Sequence, residues 1–398
     1  MSARSGLDGA RADFDRVVDR RGSRSVKWGR SSDPVAADAV LPMSIADIDF
    51  LAPPAVVEAL ERQAALGVYG YAARGDAFYA AIARWLDRRH AWRVERSWIC
   101  PCPGVIPALH AAVRAASRPG DAVVVQTPVY YPFFSAVAAN GRALVESPLR
   151  LGRAGWEIDF AGLDRALAGA RVLVLCNPHN PVGRVWRRDE LAEIARLCDR
   201  HDVTVVSDDV HGDVAFSPYT PIARDLPAAA RRTITASSPS KTFGLSSLHT
   251  AYCVIPDDDL RRAFEAETAK MGYFWGNVFG DTALEVAYRE GEAWLDALLA
   301  YLRENRRVLE DAFRDHPSVR VTALEGTYLA WLDVRGARLD EDAVCRLLNE
   351  ARVALDRGSL FGAPGVGFQR LNFATPARVL REGIRRVLRA LPAGARST

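Results

Sequence analysis

Thr233-Ile-Thr-Ala-Ser-Ser-Pro-Ser-Lys-Thr-Phe-Gly-Leu245 begins as a short β-branched run and passes without a break into a lysine set among hydroxyl side chains. Its first five residues have the make-up of a buried strand bounded by a polar turn. The lysine carries the chemistry. Of 52 Lys and Arg residues in a chain of 398, only Lys27, Lys241 and Lys270 are lysines. Where arginine is the default cation, a lysine calls for a reason that arginine cannot supply. An ε-amino group loses its proton and condenses with an aldehyde, whereas guanidinium stays charged and unreactive. Lys241 is therefore the first candidate for a covalent cofactor anchor, placed just beyond the end of a strand.

The same sequence of strand and polar loop recurs on both sides of this stretch. Residues 122–126, 171–176, 203–207 and 251–255 read as further buried strands, and 107–116, 131–140 and 189–201 carry apolar residues at helical spacing. Such alternation predicts an α/β domain with a largely parallel sheet, whose chemistry gathers where strands end and loops begin. From about residue 281 the pattern changes to long amphipathic helices over 282–289 and 293–315, a strand pair over 319–324 and 327–334, and a closing helix over 377–391. The expectation is a large domain over 47–285, with residues 1–46 and 286–398 forming a smaller α+β domain.

Four polar clusters fall at strand ends or helix starts. Pro103-Gly104-Val105-Ile106 precedes a helix, whose unpaired N–H groups and dipole favour a phosphate; a plain turn would look the same. Asn177-Pro-His-Asn-Pro-Val-Gly183 has two prolines and a glycine to fix its shape, so Asn180 is held as a rigid hydrogen-bond donor, or the loop is only a rigid turn. In Ser207-Asp-Asp-Val-His211, Asp208 sits at the carboxyl end of a buried strand, where a carboxylate is costly unless paired. A protonated pyridine nitrogen would pair it. His211 stands close enough in sequence to hydrogen-bond nearby; taken alone, a capping or satisfied histidine is the plainer reading. Ser238 and Ser240 flank Lys241 with hydroxyls suited to phosphate oxygens. Phosphate cradle, ring-nitrogen carboxylate, asparagine and Schiff-base lysine together describe a pyridoxal 5′-phosphate site.

Composition narrows the remaining classes. With 49% hydrophobic and 25% charged residues the chain is ordinary globular material, and its net charge of +3 is spread through amphipathic stretches, so nucleic-acid binding finds no support. Residues 1–23 lack an apolar leader and no apolar run approaches a membrane span, which points to a cytoplasmic protein without a membrane partner. The close pair Cys100 and Cys102 has no second pair to complete a zinc site, so no metal is expected, and all six cysteines read as reduced.

At these motifs the chain resembles the fold-type I pyridoxal-phosphate enzymes, and within them the MalY/PatB-type cystathionine β-lyases of the class I/II aminotransferase superfamily. The resemblance runs from Met43-Ser-Ile-Ala-Asp-Ile-Asp-Phe50 to Arg370-Leu-Asn-Phe-Ala-Thr-Pro376 and includes Thr127-Pro-Val-Tyr-Tyr-Pro-Phe133. It implies Lys241 as the Schiff-base lysine, Asp208 as partner of the pyridine nitrogen, Asn180 as donor to the ring oxygen and Tyr130 as the stacking aromatic. His211 falls in the same cofactor-binding set. Gly104, Val105, Ser238 and Ser240 match phosphate ligands, Arg370 the arginine that binds a substrate α-carboxylate, and Tyr71 a tyrosine donated across a homodimer interface to the partner's phosphate.

The implied reaction is carbon–sulfur cleavage of L-cystathionine or another cysteine S-conjugate to thiol, pyruvate and ammonia. Transamination, a decarboxylating or oxidative reaction on a specialised-metabolite cysteine conjugate, and a non-catalytic regulatory role on the same fold are the alternatives. Departures from the family pattern bear on that choice. Ser44 stands where a tryptophan is usual and Ile48 where a methionine is, which implies more room beside the substrate. Gly244 replaces an asparagine, His249 holds the place of a phosphate-binding arginine, and Asp209 stands for the usual glutamate.

Overall fold

The computed structural model describes residues 13–20, 22–29, 40–153 and 155–391. Residues 1–12, 21, 30–39 and 392–398 of the expected N- and C-terminal segments therefore lie outside the described residues. Seven strands make the main sheet: β1 (Ile99–Cys102), β2 (Ala122–Val125), β3 (Ala143–Glu146), β4 (Ala170–Cys176), β5 (Thr204–Asp208), β6 (Thr233–Ser237) and β7 (Ala251–Val254). Their spatial order is β1-β7-β6-β5-β4-β2-β3. β7 is antiparallel to both neighbours, and every other pairing is parallel.

Side chains alternate across a strand, and the composition of these strands uses both faces. Val123, Val125, Val172, Val174 and Val206 enter one core layer, where Phe133 and Phe264 meet them from helices Pro132–Ala138 and Asp258–Lys270. Val124, Leu173, Leu175 and Val205 enter the other, against Leu163 and Ile194 of helices Phe160–Leu167 and Arg188–Arg200. A sheet covered on both faces leaves its strand ends as the place open to a ligand.

After the sheet, helix Val278–Glu290 packs on Pro54–Ala65 and Asp76–His90, and Gly291 alone separates it from the long helix Glu292–Phe313. β8 (Arg320–Val321), β9 (Leu329–Asp333), β10 (Asp356–Arg357) and β11 (Phe368–Asn372) form an antiparallel sheet ordered β8-β9-β11-β10, and helix Ala377–Ala390 closes the chain. The expected strand pair at 319–324 and 327–334 is shorter than its sequence pattern. Thr327 takes a left-handed φ of 65° and gives its N–H to the Val214 carbonyl, so pairing starts only at Leu329. Leu41–Pro42 adds in parallel to Val353–Ala354, which brings the N-terminal chain against the C-terminal sheet. No helix among the described residues is long and apolar enough to cross a membrane. All six cysteines are free.

Candidate active site

Cross-strand register aligns the ends of the site-bearing strands. Cys102 faces Ala251, Tyr252 faces Ser237, Ala236 faces Asp208 and Asp208 faces Cys176. At about 4.8 Å between strands, loops that are more than a hundred residues apart in sequence share one edge. Gly104 follows β1, Asn177 follows β4, Asp209 follows β5 and Ser238 follows β6.

Gly104 is the N-cap of helix Val105–Ala116, and no side chain caps it. The first-turn N–H groups of that helix have no intrahelical acceptor and face the edge as donors. Ser238, buried, donates to the Thr250 carbonyl at 2.7 Å and lies 2.7 Å from the Ser240 hydroxyl. Ser240 Oγ is thus the hydroxyl free to swing toward an anion, while Ser238 holds it in place.

Asp208 is buried, and among the described residues its carboxylate accepts the Val210 N–H at 3.2 Å. Burial, with Asp209 beside it, raises its pKa to about 7 against the pull of Val210 and Lys241. Burial likewise lifts Asp209 to about 6, although the Ser207 and Tyr219 hydroxyls donate to it. Lys241 Nζ donates to the Ala46 carbonyl at 2.6 Å. Burial lowers the pKa of this ammonium, opposed by Asp47 and Asp208. His211 is held neutral by burial and by the charges of Lys241 and Arg370, which push it down to about 3, and its Nδ1 has no hydrogen-bond partner.

Arg370, on β11, is buried with its guanidinium carbon 4.7 Å from the Phe361 ring centre. Its Nε and Nη2 donate to Asp356 Oδ2 at 3.2 and 2.6 Å, and Nη1 donates to Asn180 Oδ1 at 2.9 Å. A guanidinium has five N–H groups. Three are used, so each terminal nitrogen keeps one for a carboxylate. Accepting from Arg370 turns the Asn180 oxygen away from the edge and leaves its amide N–H₂ as the donor. The Asn180 carbonyl also accepts the Tyr130 N–H at 3.0 Å, tying the aromatic to the same loop. Tyr130 is largely buried, which raises its phenol to about 12 and keeps it protonated.

These residues fit a pyridoxal phosphate. Among the described residues a buried carboxyl that titrates near neutrality has no ion-pair partner, His211 Nδ1 has no hydrogen-bond partner, and a helix start at the far end of the edge has no side-chain cap. Tyr71 is the exception among the expected site residues. It is 89% exposed and its ring lies 5.7 Å from that of Trp275 on the outer surface, so this chain does not bring it to its own site. His249 is also exposed, with a left-handed φ of 46°. Gly244, the departure next to the lysine segment, packs against Ile48: a Cβ there would lie 2.8 Å from Ile48 Cγ1.

Sequence reasoning passed over several contributors. Asp356 lies on a two-residue strand with no motif around it. Asp213, partly buried, accepts from His90 at 2.8 Å and from Thr242, the neighbour of Lys241, at 2.9 Å. Lys27 had a signal in its rarity, and it is buried.

The family model for class I and II aminotransferases matches residues 38–387. The cystathionine beta-lyase PatB of Bacillus subtilis is 38% identical over 385 residues, covering 95% of this chain and 99% of that protein. Protein MalY of Escherichia coli is 34% identical over 392 residues, covering 96% and 99%. Among solved structures, cystalysin from Treponema denticola, which contains pyridoxal 5′-phosphate, superposes with a TM-score of 0.92 at 33% identity, covering 96% of this chain and 98% of that one.

Proposed function

Because the chain belongs to the class I and II aminotransferase family, with relatives named cystathionine β-lyase along nearly its whole length, we propose that it is a pyridoxal-phosphate-dependent carbon–sulfur β-lyase. The substrate is L-cystathionine or another cysteine S-conjugate, and with one water the products are thiol, pyruvate and ammonia. The observation that carries the reading is the convergence of Lys241, Asp208, Asn180 and Arg370, all buried or nearly so, on one sheet edge.

When bound, the cofactor supplies an electron sink for the pair left behind when the α-proton departs. The chain's residues do the rest. Arg370 takes the α-carboxylate with the two N–H groups that Asp356 and Asn180 leave free, and these partners fix the plane of the fork. Asp208 would hold a proton at the ring nitrogen, since a buried carboxylate is stable only beside a cation. Asn180 Nδ2 would donate to the ring oxygen, and Tyr130 would cover the ring. Val105 and its neighbours at the helix start, with Ser240 supported by Ser238, would hold the phosphate. Lys241, whose buried ammonium gives up its proton readily, is the anchor and then the base at the α-carbon. Residues 47–285 form the cofactor-binding unit, and 286–398 with the N-terminal segment form the unit that supplies Arg370. A homodimer in the cytoplasm, with Tyr71 reaching the partner's phosphate, completes the reading; the exposed cluster of Leu66, Val68, Tyr69, Tyr71, Phe274 and Trp275 supports it.

The test is an assay of cofactor-loaded protein with L-cystathionine and no added keto acid, following pyruvate and thiol together. Both are expected to appear in equal amounts. Lys241→Ala should release neither and should retain no cofactor after borohydride treatment. Carbon dioxide, or a keto acid that keeps the sulfur, in place of pyruvate would overturn the lyase assignment.

A further inference from the structure

Of the three lysines in this chain, Lys27 is buried and Lys241 partly so, and both donate to backbone carbonyls of the same loop. The loop Ser44–Phe50 has no strand to satisfy its backbone, and side chains take that role instead. The Ile45 carbonyl accepts from Asn372 Nδ2 at 2.7 Å, Ala46 from Lys241 at 2.6 Å, Asp47 from Lys27 at 3.2 Å and from Asn372 at 2.7 Å, and Ile48 from Arg20 at 3.1 Å. Ile45 is a β-branched residue held at a φ of 48°, a conformation that persists only under such constraint.

The loop also carries two carboxylates beside the site, and Arg20 and Lys27 bring the charges that meet them. Lys27 Nζ lies 2.6 Å from Asp49 Oδ2, with only 1% of its side chain exposed. Arg20 reaches Asp47 at 2.7 Å and Asp49 at 3.2 Å, and Trp28 Nε1 donates to Asp49 at 3.1 Å. A compact ammonium fits between a carboxylate and a carbonyl in a closed space where a planar guanidinium does not. On its inner side the loop gives Ile45 N–H to Asp356, the partner of Arg370, and lays Ile48 over Gly244.

We propose that Lys27 is a positioning residue for the lyase site: from the N-terminal segment it pins the loop Ser44–Phe50, and through it the wall beside Lys241 and Arg370. The proposal rests on the lyase reading for its kinetic part only. Without the Lys27 charge, Asp49 is left buried with fewer donors, the Asp47 carbonyl loses one, and the loop gains freedom where the substrate side chain passes.

The experiment compares wild type, Lys27→Met and Arg20→Gln as cofactor-loaded full-length proteins. Hydrogen exchange is read at the amides of Ile45, Asp47 and Asp49, which are bonded to Asp356, the Ile45 carbonyl and the Ala374 carbonyl. Exchange at these three is expected to quicken by about tenfold or more, with β4, β5 and β6 as protected as in wild type. KM for L-cystathionine should rise by about tenfold, and kcat should change less. Unchanged loop exchange in both variants, or an equal rise through β4, β5 and β6, would overturn the proposal. Arg20 is partly exposed, so its variant keeps the test open if Lys27→Met does not fold. The exchange readout needs no turnover: a wild type that makes no pyruvate sinks the lyase reading and leaves this result standing.

Discussion

At the scale of single residues, Asp208 shows how a site can be legible in sequence without its energetics being so. Its position after a β-branched run marked it as a carboxylate in want of a cation, and the fold buries it. Its titration near 7, against an ordinary value near 4, has a sign that can be worked out. The folded, cofactor-free protein holds a proton on Asp208 that the unfolded chain has lost, so the associated stability is full below about pH 4 and disappears as pH rises through about 7. Asp208→Asn has no such proton to lose. Its stability relative to wild type should therefore improve by roughly 2–3 kcal/mol between pH 5 and pH 8, read from urea unfolding of both cofactor-free proteins at the two pH values. A gap that stays flat with pH would mean that Asp208 is ionised throughout. Arg370→Lys keeps the charge and loses the fork, so KM should rise on the order of tenfold to a hundredfold with little change in unfolding midpoint. Asp356, which holds that fork, was invisible in sequence because an isolated Asp between hydrophobic and glycine-rich stretches has no period or spacing to betray it.

Among the elements, the strands at 122–126, 171–176, 203–207, 233–237 and 251–255 appear within one residue of their expected limits, because continuous burial on both faces leaves an unbroken apolar run. β1 and β3 escaped for opposite reasons. Pro101 and two cysteines obscure β1, and β3 lies at the sheet edge with mostly exposed side chains. Motif comparison identified Gly244 as a departure but not its partner. With a φ of 71° and Ile48 in the space of a Cβ, Gly244 is restricted by both backbone and packing. Gly244→Ala should cost about 1–3 kcal/mol in denaturant unfolding, and Ile48→Ala in the same chain should recover the packing share while leaving the backbone share. If the second change recovers nothing, Ile48 is not what crowds that turn.

For the molecule as a whole, the exposed rings of Tyr71 and Trp275, 5.7 Å apart, mark an apolar surface suited to a partner. Trp275→Glu should convert a dimer to monomer in sedimentation and weaken cofactor retention, since the tyrosine beside it would no longer meet a partner's site. A dimer that survives this change would place the interface elsewhere. The order in which the chain supplies its site has a further consequence, this time for synthesis. Gly104, Asn180, Asp208 and Lys241 are set by a sheet complete at Val254, yet Arg370 and Asn372 lie on β11, near the end. A nascent chain that has emerged through Val254 but not yet through β11 carries the strand-end loops and has neither the arginine fork nor the Asn372 amide that secures the loop at Ile45 and Asp47. Translation thus delivers the strand-end loops well before the guanidinium that bonds Asn180 and Asp356.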